Sequence, residues 1–331
     1  MSKDPFLQLD ELLEKKIIPE KFYKILKEFF ESYKAELGIH GFPLEKQMPI
    51  LDTYLSLNQE QLQTPYPFQP FHQQIVAPFD YYTFGVEFLR PLVDTQLSSA
   101  RALHYADEIC AYLKKGHNAI LFANHQIEAD PQAISLLLEK THPELAKKMI
   151  FVAGDRVVTD PLAVPFSLGR NLLCIYSKRY IDHPPEQKLK KQLHNKKTME
   201  VMRELLSEGG KAIYVAPSGG RDRANEKGVV EVALFDPQSV EMFYLMSQRA
   251  HSPTHFYTLA LSTYDLIPPP ETVQLELGEA RQTKRGAIHL AFGPEIDMQN
   301  IPESEQKDKH LKRELRANYI WEQVKKDYSK F

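Results

Sequence analysis

Six short apolar runs, separated by stretches of helical character, fill the chain from residue 119 onward and constrain its fold more than any other feature. The runs are 119–123 (AILFA), 149–153 (MIFVA), 171–176 (NLLCIY), 211–216 (KAIYVA), 256–261 (FYTLAL) and 287–292 (AIHLAF). Each is long enough for a strand and too short for a core helix. Helices are expected between most of them, at 131–140, 161–169, 186–208 and 237–249. Strands alternating with helices imply an α/β fold, a mostly parallel or mixed sheet flanked by helices. In such sheets ligand sites gather in the loops that leave the carboxyl ends of strands. The chemistry is therefore sought there.

Residues 1–57 have another rhythm and read as helices without strands. Ile18, Phe22, Ile25, Leu26, Phe29, Phe30, Tyr33 and Leu37 recur at steps of three and four, a broad apolar stripe. Pro19 suits the first turn of that helix, and Gly38 or Gly41 its end. Leu44, Met48, Leu51 and Leu55 make a shorter stripe. The segment that follows carries Pro65, Pro67, Pro70 and Pro78 among several glutamines, and reads as an extended connection. The expected organisation is a small helical N-terminal domain with its connection over 1–78, then an α/β domain over 79–331.

Composition excludes several classes. No window approaches the roughly 18 consecutive apolar residues that a spanning helix needs, which argues against an integral membrane protein. Forty-one Lys+Arg against 44 Asp+Glu give a formal charge of -3, which argues against a dedicated nucleic-acid partner. Cys110 and Cys174 lie in apolar contexts without metal-ligand spacing and read as buried free thiols. The N-terminus MSKDPFLQLDELLEKK has charges where a signal peptide needs an apolar core. A reducing, cytoplasm-like compartment is expected.

The first candidate site follows AILFA, where Asn124-His125-Gln126-Ile127-Glu128-Ala129-Asp130-Pro131 leads into a helical run. Asp130 can cap that helix, with Pro131 at its first position. It can instead orient the imidazole of His125, leaving a neutral ring able to take a proton from a hydroxyl. No serine or cysteine nucleophile is near, so base catalysis on an external hydroxyl fits better than a covalent intermediate. The second site follows KAIYVA, in Pro217-Ser218-Gly219-Gly220-Arg221-Asp222-Arg223. Its glycines let the backbone approach a ligand, and its two arginines can converge on one anion. The alternative is a surface turn with the arginines paired to Asp222 or Glu226. No Gly-Lys-Ser/Thr follows, so it is not a Walker loop. Lys178, Arg179 and Tyr180 follow the third run and add two cations. From Lys178 to Arg203 there are eight Lys/Arg and three Asp/Glu, a surplus of five in a net-acidic chain. Lys188, Lys190, Lys191, Lys196 and Lys197 fall on a predicted helix, as a solvated face or as a docking surface for an acidic partner or anionic membrane.

Asn124-His125-x4-Asp130, GDRVVTDPLAVPFSLGRNLLCIYSKR (154–179), APSGGRDR (216–223) and Leu266-Ile267-Pro268-Pro269-Pro270 occur in this order. Together they resemble the soluble glycerol-3-phosphate 1-O-acyltransferases of chloroplasts and chlamydiae, within the H-x4-D acyltransferases. The resemblance runs through nearly the whole chain. It implies that His125 is the general base and Asp130 its partner, and that Arg221 and Arg223 bind the substrate phosphate. Lys178 and Arg179 share that task, while Tyr180 stands where plant members have an imidazole. The implied reaction moves an acyl group from acyl-acyl carrier protein, or acyl-CoA, to the sn-1 hydroxyl of glycerol 3-phosphate, giving lysophosphatidic acid. No metal or other cofactor is implied. Lys190, Lys191, Lys196 and Lys197 become the expected docking face for the acidic carrier protein, and peripheral membrane contact would serve product release. The compartment implied is the cytoplasm, or the plastid stroma for a plant chain. Three rivals remain at this point: a sister enzyme that acylates the sn-2 position of lysophosphatidic acid, an acyl thioesterase using His125 and Asp130 with water, and a non-catalytic binder of phospholipid headgroups using the arginines and lysines.

Overall fold

Strands buried on both faces read as unbroken apolar runs, and here they form the middle of one sheet. The computed structural model describes residues 4–177, 181–270, 277–302 and 308–331. In chain order the elements are α1 (Pro5–Glu14), α2 (Glu20–Ile39), α3 (Met48–Gln63), β1 (Phe71–His72), α4 (Tyr81–Leu89), β2 (Ser99–Arg101) and α5 (Leu103–Lys114). Then come β3 (Asn118–Ala123), α6 (Asp130–Leu138), α7 (Pro143–Lys148), β4 (Ile150–Gly154), α8 (Val164–Ser167), β5 (Asn171–Ile175), α9 (Lys188–Glu208) and β6 (Ala212–Val215). A hairpin of β7 (Arg223–Ala224) and β8 (Val230–Glu231) precedes α10 (Pro237–Gln248), β9 (Thr254–Ser262), β10 (His289–Phe292) and α11 (Lys309–Tyr328).

The eight-stranded sheet has the order β1-β5-β4-β6-β3-β9-β10-β2. The five strands from β5 to β9 run parallel, while β1 and β10 run antiparallel to their neighbours β5 and β9. All six residues of β3 are buried. Its Ala119, Leu121 and Ala123 enter the core on one face, Ile120 and Phe122 the core on the other, as the two-residue period of a strand requires. The parallel run has one consequence for the site: the segments after β3, β4, β5 and β6 all leave at the same edge.

The N-terminal stripe forms as its spacing predicts. Ile25, Leu26, Phe29, Phe30, Tyr33 and Leu37 are the buried face of α2, and each fully buried Leu or Phe contributes roughly 1.5–3 kcal/mol. Pro19 is the cap of that helix rather than its first turn. One cluster of buried side chains continues from these residues to Phe88 on α4, Ile127 and Leu136 beside the H-x4-D segment, and Leu266. The Tyr33 and Tyr54 hydroxyls donate to the carbonyls of Phe88 and Leu162 at 2.9 Å each, so the buried rings leave no phenol unsatisfied.

Several expectations are corrected. The Pro/Gln segment is helical up to Gln63, because its first proline is Pro65. It then gives Phe71 and His72 to the edge of the sheet. The stretch 161–169 is one helical turn, Val164–Ser167. Gly169 ends it where the chain crosses Tyr81, and a Cβ there would lie 2.5 Å from that carbonyl. Both cysteines are free, Cys174 buried but Cys110 only half-buried. No helix among the described residues is long and apolar enough to cross a membrane.

Candidate active site

His125 follows β3 at the carboxyl edge of the sheet, and Asp130 opens α6. Of the two readings open for Asp130, its side chain adopts the second. Ala129 holds the capping position. Asp130 Oδ2 lies 2.8 Å from His125 Nδ1 and accepts from the backbone N–H of Gln126 at 2.8 Å. Its Oδ1 accepts from the Thr263 hydroxyl at 2.5 Å. A carboxylate can only accept, so Nδ1 carries the proton and Nε2 is the basic nitrogen. The Asp130 side chain is 1% exposed and that of His125 28% exposed, so the partner is sealed off while the ring meets solvent.

A second carboxylate, Asp222, ties this loop to the arginine loop. The sequence offers Asp222 as a partner for its neighbouring arginines, but the side chain is fully buried and points inward. Its Oδ2 accepts from Asn124 Nδ2 at 2.7 Å and Gln126 Nε2 at 3.2 Å, and its Oδ1 from Ala233 N–H at 2.9 Å. Its own N–H donates to the His125 carbonyl at 2.6 Å. Burial pushes this carboxyl above the usual range, opposed by those donors. Asn124 also clasps the Leu261 backbone in both directions, and Gln126 Oε1 accepts from the N–H groups of Thr263 and Tyr264. His125 is thus fixed through β9 and the arginine loop together.

Arg221 pairs with Glu279, its Nη2 2.5 Å from Oε1, and Arg156 Nη1 lies 3.1 Å from Oε2 of the same carboxylate. Arg223 donates to the Pro270 carbonyl. Behind them, Arg281 donates to Glu128 at 2.8 and 3.1 Å and to Asp160 at 3.1 Å. Burial acts to raise the Glu128 carboxyl, but Arg281 and Arg221 outweigh it and hold the group below its ordinary value. Asp160 in turn accepts from the N–H groups of Leu162 and Gly278. The carboxylates Glu128, Asp160 and Glu279 match the guanidinium groups of Arg156, Arg221 and Arg281 in number.

The structure brings His125, Asp130, Arg221 and Arg223 to one edge of the sheet. Lys178, Arg179 and Tyr180 lie outside the described residues. Lys190, Lys196 and Lys197 are exposed on the first half of α9, beside exposed Leu189 and Leu193. Lys191 is not part of that face. It is buried, its ammonium donates to the His183 carbonyl, and it lies 5.5 Å from the Tyr176 ring. The reason is phase: Lys191 shares the inward stripe of Thr198, Met202 and Leu205. Backbone amides at 130–133 are a natural place to seek oxyanion donors. However, those of Asp130 and Ala133 donate to the carbonyls of Ile127 and Ala129, and Pro131 has none. Thr263, Glu279 and Arg281 carry no sequence signal of their own, whereas Asn124, Gln126, Glu128, Arg156 and Asp222 lie inside the quoted motifs.

The acyltransferase family profile matches residues 107–298. The chloroplastic glycerol-3-phosphate acyltransferase ATS11 of Cucurbita moschata is 37% identical over 315 residues, 94% of this chain and 70% of that protein. The chloroplastic glycerol-3-phosphate acyltransferase of Spinacia oleracea is 42% identical over 241 residues, 72% of this chain and 51% of that protein. Among solved structures, the 1-acyl-sn-glycerophosphate (LPA) acyltransferase PlsC of Thermotoga maritima superposes with a TM-score of 0.40 at 16% identity, over 76% of this chain and 78% of that one. The chain belongs to the acyltransferase family, together with the chloroplastic glycerol-3-phosphate acyltransferases.

Proposed function

We propose that this chain is a glycerol-3-phosphate 1-O-acyltransferase, moving a fatty acyl group from the thioester of an acyl carrier protein, or of coenzyme A, to the sn-1 hydroxyl. One observation carries the reading. The loop that presents His125 Nε2 is bonded directly, through Asp222 N–H and the His125 carbonyl, to the loop that carries Arg221 and Arg223. A base and an anion clamp joined in this way suit an acceptor that bears both a hydroxyl and a phosphate. Hydrolysis needs no clamp, and a headgroup binder needs no base.

Arg221 and Arg223, with Lys178 and Arg179, hold the phosphate and set which hydroxyl meets His125. A well-oriented pair of this kind lowers a barrier by up to roughly 7–11 kcal/mol. The hydroxyl oxygen attacks the thioester carbonyl carbon as its proton passes to Nε2. Asp130 supports the imidazolium through Nδ1. The tetrahedral adduct then collapses, the C–S bond breaks, and the imidazolium returns the proton to the leaving thiolate. Exposed Leu189 and Leu193, set among Lys190, Lys196 and Lys197, form the docking face for the acidic carrier protein.

Purified protein is given radiolabelled glycerol 3-phosphate and acyl carrier protein thioester, alongside His125→Ala. Labelled lysophosphatidic acid from wild type alone is the expected result. Free fatty acid without labelled lipid would mean a thioesterase, and no turnover a binder.

A further inference from the structure

The sheet order puts β4 between β5 and β6, and the three strands run parallel. Their following segments therefore emerge side by side at one edge. The segment after β6 carries Arg221 and Arg223. The segment beside it, after β4, carries Arg156, in the turn Asp155–Val158. Glu279 joins it to Arg221, one carboxylate oxygen to each guanidinium. The Glu279 side chain is 4% exposed, against 14% for Arg221 and 25% for Arg156. The anion therefore lies behind, and the two cations face solvent. Glu279 thus acts as a brace that fixes the two guanidinium groups side by side at the mouth of the site, where both can reach one anion.

We propose that Arg156 is a phosphate-binding residue of the acceptor site, and that Glu279 is the positioning residue holding the Arg156 and Arg221 guanidinium groups together. The proposal rests on the reading that the acceptor is a phosphate ester. Arg156→Gln raises KM for glycerol 3-phosphate and Ki for competing inorganic phosphate by about tenfold or more, the loss of one charge-assisted contact. The turnover number stays within about threefold, since a contact to a non-reacting group is made equally in ground and transition states. KM for the acyl donor does not move, and Arg156→Lys recovers part of the lost affinity. A drop in kcat with a higher donor KM, while inorganic phosphate inhibits as in wild type, overturns the proposal.

Should the variants fail to fold, wild-type protein is treated with phenylglyoxal with and without inorganic phosphate, and the modified peptides are mapped. Protection of Arg156 by phosphate is expected, and equal modification in both samples overturns the proposal. Protection is read without turnover, so it stays distinct from failure to acylate glycerol 3-phosphate, which would remove the proposed function itself.

Discussion

Asp130→Asn separates two effects that a carboxylate beside a histidine usually mixes. An amide has one acceptor and one donor end, so it can turn either way. With its oxygen toward His125, the amide still accepts from Nδ1 and from the Gln126 N–H, and its NH2 faces the Thr263 hydroxyl, which can accept. Turned the other way, the NH2 would face the Gln126 N–H, two donors in contact, and would force Nε2 to hold the proton. The Gln126 amide therefore selects the orientation that keeps the tautomer, and only the charge is lost. A neutral in place of a charge-assisted hydrogen bond costs about 1–2 kcal/mol. Full loss of the Coulomb attraction near 4 Å, at an effective dielectric of about 20, would cost about 4 kcal/mol. The expected fall in kcat is thus about 10²-fold, within a bracket of about 10- to 10³-fold. Reversal of the tautomer in a Ser-His-Asp triad costs about 10⁴-fold. The assay is acylation of glycerol 3-phosphate at saturating donor and acceptor, with urea unfolding to confirm that the variant is folded. A variant as inactive as His125→Ala would refute the orientation argument, and one within about threefold of wild type would remove Asp130 from the chemistry.

Further outcomes follow from the same contacts. Every contact on the Asp222 carboxylate comes from a donor, so Asp222→Asn must set an NH2 against an N–H. It should lose about 2–4 kcal/mol in urea unfolding, and an unchanged midpoint would contradict the network. Gly278 has φ +78°, and a Cβ there would lie 3.2 Å from Ile25 Cδ1 and Phe22 Cε1 on α2. Gly278→Ala should cost about 1–2 kcal/mol and raise KM for glycerol 3-phosphate, because Glu279 is the next residue; lost stability with unchanged KM would uncouple the two. Reversing Lys190, Lys196 and Lys197 to Glu should raise KM for the acyl carrier protein and leave that for glycerol 3-phosphate alone, and unaltered kinetics would remove the docking face. Burial lowers His72 from the ordinary value of 6.5. The unfolded chain thus takes the proton first, and stability is full above that value and falls with pH toward the folded pKa. His72→Gln should flatten the fall in Tm between about pH 7 and about pH 5, and parallel slopes would exclude His72 as a cause.

What the sequence shows of this fold depends on how local its physics is. Strands β3 to β6 are legible because a sheet covered on both faces needs apolar residues at every position. The two- and three-residue edge strands β1 and β2 carry no period to read. In the first half of α9, residues 188–198, five lysines stand against two leucines, so the stripe is hard to phase there and Lys191 is mistaken for a surface residue. His125 and Asp130 are legible because they meet five residues apart. Thr263 reaches Asp130 across 133 residues, Arg281 reaches Glu128 across 153, and Arg156 reaches Glu279 across 123, and no window covers such distances. Asp222 is the instructive case, since it stands between the two arginines and reads as their partner. Burial alternates along this segment, however, with Asp222 buried between half-buried Arg221 and Arg223. With Arg221 and Arg223 turned toward the site, the carboxylate between them has to face the core, where Asn124, Gln126 and the Ala233 amide receive it. That alternation lets three consecutive residues serve two ends at once. The odd positions hold cations at the mouth, and the even one fastens their loop to the loop of His125. An Arg-Asp-Arg segment that leaves a strand beside a buried polar cluster can therefore be read as a clamp with its own anchor rather than as an ion pair.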